Sequence, residues 1–288
     1  MSNRRYYSVR TGKNPEGARI DLSTLLRLFR DTYLRLIEGN YFQETLGYEC
    51  IDAGHVHGTL GTDIEAQMFR KLRKPDLWPI HEQCTGYAED DLFDVIEFLF
   101  DNVSKPVDGW FHQHDGCGWH YETFDQQAGR ERFRSEVNEW LADYGSGYEL
   151  SPDGEILAAV EPSLEGLLQE VSNGDASAGL NSLVRSATLK FRRYHSSPDD
   201  RRDAVRDLAD VLEELRPRLK EVLTEKDESD LFNLANNFGI RHRNDRQKTG
   251  YDREIWYSWM FYYYLATINA SARLIQRQAA AGLDEIPF

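Results

Sequence analysis

Apolar residues recur every three or four positions along most of this chain, the spacing of helices that bury one face. In the N-terminal half this spacing predicts four helices, over 21–38, 63–72, 90–100 and 126–144. Aromatic and polar residues alternate over 107–124, which favours short strands or loops. Residues 147–160 are typical of a β-hairpin that turns at Asp153-Gly154, whereas the Gly-rich stretch 41–62 is expected to be irregular.

After residue 160 the pattern is helical throughout. It predicts five helices, over 163–171, 178–194, 199–224, 227–238 and 252–280. Pro217 is expected to kink or split the third of them, because proline removes a backbone donor. Helices joined by short loops pack as antiparallel neighbours. The pattern therefore predicts an acidic α+β domain over 1–160, rich in helix with a small sheet or hairpin, followed by an all-α bundle of four to five helices over 161–288.

Composition agrees with two folded domains and limits the partners. The chain has 288 residues, 40% of them hydrophobic and 12% aromatic, which is too much apolar bulk for a disordered chain. Its net charge of −15 is uneven: residues 1–160 hold 28 acidic and 16 basic residues, and the remainder is nearly neutral. This balance argues against general nucleic-acid binding and suggests two units with different partners, a protein partner in the case of the acidic half; the alternative is that the surplus acid only keeps the protein soluble.

Cysteine usage and hydropathy bear on the compartment. Three cysteines, an odd number, and a polar N-terminal sequence indicate a reducing cytoplasm. The apolar run 255–275 contains Ser258, Asn269 and Arg273, so a buried bundle helix is favoured over a membrane span.

The densest polar cluster lies between the last two predicted helices, in the loop 240–249. A helix N-terminus and arginine side chains both favour anions such as phosphate, and His242 can exchange a proton near neutral pH. These groups suit RNA binding or cleavage, although a solvated turn between helices has the same composition. The predicted nucleic-acid-binding residues, including three that end an earlier helix, are Lys190, Arg192, Arg193, Arg243, Arg246 and Lys248.

The segment Asn236–Asn244 and the aromatic helix that follows it resemble the C-terminal helical domain of HEPN-type proteins. The acidic half ahead of it is similar to the N-terminal domains of AbiJ-like abortive-infection proteins. HEPN members are four- to five-helix bundles, often dimeric, and many are metal-independent ribonucleases in phage defence. The resemblance implies a catalytic set of Arg241, His242 and Asn244.

The HEPN motif places a histidine four to six residues after the arginine, whereas this chain has Asp, Arg and Gln at 245–247. Either His242 substitutes for that group, or the chain is a non-catalytic RNA- or partner-binding member. We therefore expect a defence or toxin-type factor that acts on RNA; the alternative is a non-catalytic protein-interaction and dimerisation module. A homodimer is expected because the last helix is aromatic on every face; the alternative is that the N-terminal domain covers this helix instead.

Histidine and cysteine spacing raises the question of a metal. His81-x2-Cys84 and Cys117-x2-His120 are two close pairs of the kind that can complete a tetrahedral zinc site, with His112, His114, His55 and His57 as alternative ligands. Buried thiols in a packed aromatic loop would explain the second pair without metal, so the expected cofactor is none, with zinc as the alternative. A carboxylate stripe at Asp90, Asp94, Glu97 and Asp101 could hold Mg²⁺ or Mn²⁺, but a solvated acidic helix face is favoured.

Overall fold

The computed structural model of the chain describes residues 6–13, 19–159, 178–221 and 252–284. The chain divides into two compact units, Met1–Ala159 and Val160–Phe288. The first unit mixes helices with small antiparallel strand pairs, and the described part of the second is helical, as the sequence predicted. Within the described residues, no helix has the length and apolar character needed to cross a bilayer.

The first unit contains seven α-helices and three two-stranded hairpins among its described residues. In chain order they are α1 (Tyr7–Arg10), α2 (Leu22–Glu38), α3 (Gln43–Leu46), β1 (Tyr48–Cys50), β2 (Gly54–Val56), α4 (Ile64–Leu72), α5 (Ile80–Gln83), α6 (Glu89–Asn102), β3 (Lys105–His112), β4 (Gly118–Asp125), α7 (Gln126–Leu141), β5 (Tyr148–Leu150) and β6 (Ile156–Ala158). The strands pair as β1–β2, β3–β4 and β5–β6, all antiparallel.

Helices α2, α6 and α7 supply most of the core of this unit. The Asp21 carboxylate caps α2 by accepting from the Thr24 N–H at 2.8 Å, and the helix ends at Gly39, as the sequence predicted. The apolar face of α2 is buried, and the Trp140 indole on α7 donates to the Thr32 hydroxyl on α2 at 3.2 Å. Burial of these apolar faces stabilises the unit, because each large side chain removed from water contributes about 1.5–3 kcal/mol.

The second unit contains three described helices, α8 (Ala178–Arg192), α9 (Pro198–Leu219) and α10 (Arg253–Asp284). Helix α9 packs against both others, and Phe191 of α8 stacks on Phe261 of α10 with ring centroids 4.0 Å apart. Helix α9 runs through Pro217 without being split, because the proline lies in its last turn, where little helix remains to disrupt. The other two helices predicted for the bundle, over 163–171 and 227–238, lie outside the described residues.

Candidate metal centre

The β3–β4 hairpin carries three of the four residues of the centre. The stretch 107–124, expected to form short strands or loops, forms most of β3 and β4, which pair with Trp110 opposite His120 and His112 opposite Gly118. At the turn, Gly116 and the first residue of β4, Gly118, have φ angles of 76° and 89°, a conformation that favours glycine. The turn folds Cys117 back toward the strand face that carries His112 and His120.

The fourth residue, Cys50, comes from the stretch that was expected to be irregular. Instead it forms α3 and the β1–β2 hairpin, with Cys50 at the end of β1 opposite Gly54. Two close backbone approaches explain the fold here: a Cβ atom on Gly47 would lie 2.0 Å from the Val56 carbonyl oxygen, and one on Gly58 would lie 2.4 Å from that of Thr45. Only glycine permits these contacts. The high glycine content of 41–62, which predicted an irregular stretch, instead allows a tight hairpin to form.

Gln43 on α3 connects the two hairpins. Its side-chain amide donates to the Trp119 carbonyl at 3.0 Å, and its amide oxygen accepts from the Tyr121 N–H at 2.6 Å. These two backbone groups flank His120 on β4. The buried Gln43 side chain therefore fixes the strand that carries His120 relative to the segment that leads into Cys50.

Together these elements place Cys50, His112, Cys117 and His120 with one ligand atom each, all within 4.8 Å of one another. Cys117 Sγ lies 3.1 Å from His120 Nε2, and Cys50 Sγ lies 3.8 Å from His112 Nδ1. A tetrahedral zinc ion, with bonds of about 2.3 Å to sulfur and about 2.0 Å to nitrogen, separates its ligand atoms by about 3.3–3.8 Å. The four side chains thus come close to a Cys₂His₂ zinc site.

The surroundings orient both imidazoles. His112 turns Nδ1 toward Cys50, and its Nε2 lies 3.2 Å from the Asp52 carboxylate, the outer-sphere partner typical of a metal-bound histidine. His120 is 2% exposed, with the Tyr48 ring 4.3 Å and the Trp110 ring 4.4 Å from its own. These contacts limit rotation of the two imidazole rings, so that their ligand nitrogens stay directed at the two cysteine sulfur atoms.

Burial shifts the pKa of two side chains of the centre, His120 and Cys117. It lowers the pKa of His120, with a further contribution from His112, so the neutral imidazole that a metal requires is favoured. Burial also raises the pKa of the Cys117 thiol, and the neighbouring Cys50 thiol adds to this effect. A divalent cation would reverse this preference of the Cys117 thiol, because a coordinating thiol is deprotonated.

The structure brings together only one of the two predicted His/Cys pairs. Cys117 and His120 join Cys50 and His112, whereas His81 and Cys84 lie elsewhere in the first unit. His81 is half exposed beside the Glu82 carboxylate, and Cys84 is completely buried, with a pKa raised by that burial. Of the alternative ligands, only His112 belongs to the group; His55 contacts Glu49 and His57, and the His114 ring lies 6.1 Å from that of His112.

Sequence reasoning therefore missed Cys50. A signal was present: His112-x4-Cys117-x2-His120 gives three ligands within nine residues of one hairpin, and a Cys₂His₂ site then needs one of the two remaining cysteines.

The described part of the predicted RNA site is only partly available to a ligand. Lys190 pairs with Asp207, Arg192 is 7% exposed, and Arg193 is exposed just beyond the end of α8. Arg241, His242, Arg243, Asn244, Arg246 and Lys248 lie outside the described residues. The Asp252 carboxylate, next to the start of α10, accepts from the Ile255 N–H at 3.2 Å and so occupies a donor that an anion could have used.

The carboxylate stripe on α6 is engaged in protein contacts. Asp94 pairs with Lys74 at 2.7 Å, and the Glu97 carboxylate accepts from the Ile156 N–H at 2.7 Å. Asp101 lies 3.9 Å from Arg130. The stripe does not converge on a point in the structure, and it is best described as a helix face with ion pairs.

A comparison of the chain with protein-family models, curated proteins and solved structures found no match.

Proposed function

We propose that the first unit is a zinc-binding module in which the metal has a structural role. The observation that carries this proposal is the convergence of Cys50, His112, Cys117 and His120 from two separate hairpins. Four protein ligands leave no open position for a substrate, which is the arrangement of structural zinc sites. A β1–β2 pair with strands of three residues is marginal alone, so a metal that ties it to β3–β4 would stabilise both.

Metal analysis of the purified full chain tests this proposal. We expect about one zinc per chain, and Co²⁺ substitution should give the absorption spectrum of a tetrahedral site with two sulfur ligands. His112→Ala should lower zinc affinity at least tenfold, whereas the matched control His81→Ala should leave it unchanged. Equal zinc affinity in the two variants, or no zinc in the wild type, contradicts the proposal.

For the second unit we propose action on RNA in a defence or toxin-type role. The support is the sequence of the loop 240–249, its partial HEPN-like motif, and the contrast between a nearly neutral half and an acidic one. With helices over 163–171 and 227–238 the unit would be a bundle of five. The alternative function is a non-catalytic module in which the acidic half recognises a protein partner.

Expression in cells distinguishes these two functions of the second unit. Cleavage of tRNA or mRNA by the wild type, lost in Arg241→Ala and His242→Ala but kept in Arg70→Ala, supports a ribonuclease; Arg70 is an exposed arginine of the first unit. Intact RNA with all four proteins favours the non-catalytic module.

A homodimer formed through α10 is also proposed. Ile255 is 66% exposed and Trp259 is 44% exposed on this helix, while its other face is buried on α8 and α9. Light scattering of the full chain should give twice the monomer mass of 33.4 kDa. A mass of 33.4 kDa that does not change on dilution contradicts the dimer.

A further inference from the structure

The two sulfur atoms of the candidate centre are close enough to react with each other. Cys50 Sγ and Cys117 Sγ lie within 4.8 Å, and Cys117 Sγ is 3.6 Å from the carbonyl oxygen of Glu49, the residue before Cys50. A disulfide needs about 2.05 Å between sulfur atoms. The two sulfur atoms therefore have to come less than about 3 Å closer to each other, which requires a movement of one of the two backbones.

The backbone around Cys117 is suited to that movement. Cys117 lies at the tip of the β3–β4 hairpin between Gly116 and Gly118, and neither glycine has an atom closer than 4.0 Å to the position of a Cβ. Cys50, by contrast, is fixed in the β1 ladder. A small rotation at the tip can thus bring the Cys117 sulfur to Cys50 without breaking the paired strands.

Access of solvent differs among the three cysteines of the chain. Cys117 is partly exposed, Cys50 is 8% exposed, and Cys84 is completely buried outside the group. In the zinc-loaded chain both ligating cysteines are thiolates, so exposure decides which of them reacts first with a small oxidant. An oxidant should therefore react first at Cys117, with Cys50 adjacent and Cys84 excluded.

From this arrangement we infer that Cys117 and Cys50 form a peroxide-sensitive pair that releases the metal by forming a disulfide. This inference rests on the zinc site proposed above. The Cys117 thiolate attacks one oxygen of hydrogen peroxide, the O–O bond breaks, hydroxide leaves, and Cys117 becomes a sulfenic acid. The Cys50 thiolate then attacks that sulfur, the S–S bond forms, and a second hydroxide leaves.

The electrons balance in this sequence. Two thiolates lose two electrons, and the peroxide gains them to give two hydroxide ions, which water and buffer protonate. The two sulfur ligands lose their charge, so His112 and His120 alone remain as ligands and zinc dissociates. A thiol reductant would reverse the S–S bond and restore zinc binding.

The test uses the full chain loaded with zinc, treated anaerobically with a small excess of hydrogen peroxide in the presence of a zinc-sensitive dye. We expect release of about one zinc per chain together with loss of two of the three thiols. Peptide mapping should then identify a Cys50–Cys117 cross-link within one chain, and dithiothreitol should restore both thiols and zinc binding.

Two variants define the order of the reaction. In Cys50→Ser the sulfenic acid on Cys117 has no partner thiol, so dimedone should label Cys117. The matched control Cys84→Ser should release zinc at the wild-type rate.

If zinc binds but peroxide leaves both thiols reduced, or links Cys84, the redox inference is overturned and the zinc site stands. If the untreated wild-type chain binds no zinc, both are overturned. The mapping on wild-type protein decides the result even if a variant fails to fold.

Discussion

Replacing Gly109 by alanine tests how closely the two strands of the candidate centre must approach. Gly109 lies in β3 opposite Tyr121, next to the pair that contains His120. A Cβ atom there would lie 2.2 Å from the carbonyl oxygen of His120 and 2.6 Å from the Cα of Tyr121. Ordinary contacts begin at 3.4 Å, so β4 would have to move away by about 1.2 Å, the difference between 3.4 Å and 2.2 Å.

That displacement has two energetic consequences. Overpacking of a fitted contact costs about 1–3 kcal/mol, and weakening a ladder hydrogen bond beside it costs about 1 kcal/mol. The first unit should therefore lose about 2–4 kcal/mol of its free energy of unfolding. A zinc site tolerates deviations of only about 0.2 Å in its metal–ligand distances. A shift of His120 by even a fraction of the β4 displacement should therefore weaken zinc binding at least tenfold.

Urea unfolding of the metal-free protein and competition with a zinc chelator measure the two effects separately. Gly86→Ala is the matched control, because a Cβ there meets no atom within 4 Å and Gly86, like Gly109, has no positive φ. The control should change stability by less than about 1 kcal/mol. If Gly109→Ala unfolds at the same urea concentration as Gly86→Ala, the close approach of β3 and β4 is refuted.

Three further substitutions probe the contacts around the centre and on α6. Gln43→Leu leaves two backbone groups of β4 without their partner and should lower the free energy of unfolding by about 1–3 kcal/mol in urea melts, whereas the exposed Gln127→Leu should have little effect. Asp52→Ala removes the carboxylate beside His112 Nε2 and should weaken zinc binding about tenfold in chelator competition. Burial raises the pKa of Glu97, so the folded state holds this proton more tightly than the unfolded state, and the contribution of Glu97 to stability should fall as pH rises from about 4.3 through the higher folded value. Glu97→Gln keeps an acceptor for the Ile156 N–H. In urea melts at a series of pH values, this variant should be more stable than the wild type at pH 7 but not below a pH of about 4.

Each of these expectations has a result that would contradict it. Equal melts for Gln43→Leu and Gln127→Leu would show that the amide bridge does not hold β4. Unchanged zinc affinity in Asp52→Ala would show that the carboxylate does not orient His112. A constant stability difference between wild type and Glu97→Gln across pH would show that the carboxyl does not titrate in the folded state as proposed.

Local pattern was sufficient for the long helices and for one hairpin. The run of apolar residues between Asp21 and Gly39 predicted α2, and both flanking residues cap it in the structure. Likewise Asp153-Gly154 predicted the β5–β6 turn, where Gly154 has a φ of 88°. These predictions succeed because capping, turn conformation and amphipathic spacing depend on residues within a few positions of one another.

The metal centre shows where local spacing stops being informative. His81-x2-Cys84 has a spacing as suitable as that of Cys117-x2-His120, yet tertiary packing buries Cys84 in the core and leaves His81 at the surface. Spacing reports proximity only within one turn or hairpin. It cannot report which distant segment faces that hairpin.

The sequence alone predicts the periodic helices, their caps, the β5–β6 turn and the candidate status of Cys117 and His120. Cys50 lies 62 positions before His112, the next ligand of the set, and its approach to the other three ligands is a property of the tertiary structure alone. The physical reason is that this proximity arises from contacts with no sequence signature: the Gln43 amide on the β4 backbone, and close approaches at Gly47 and Gly58 that fold a Gly-rich stretch into a hairpin.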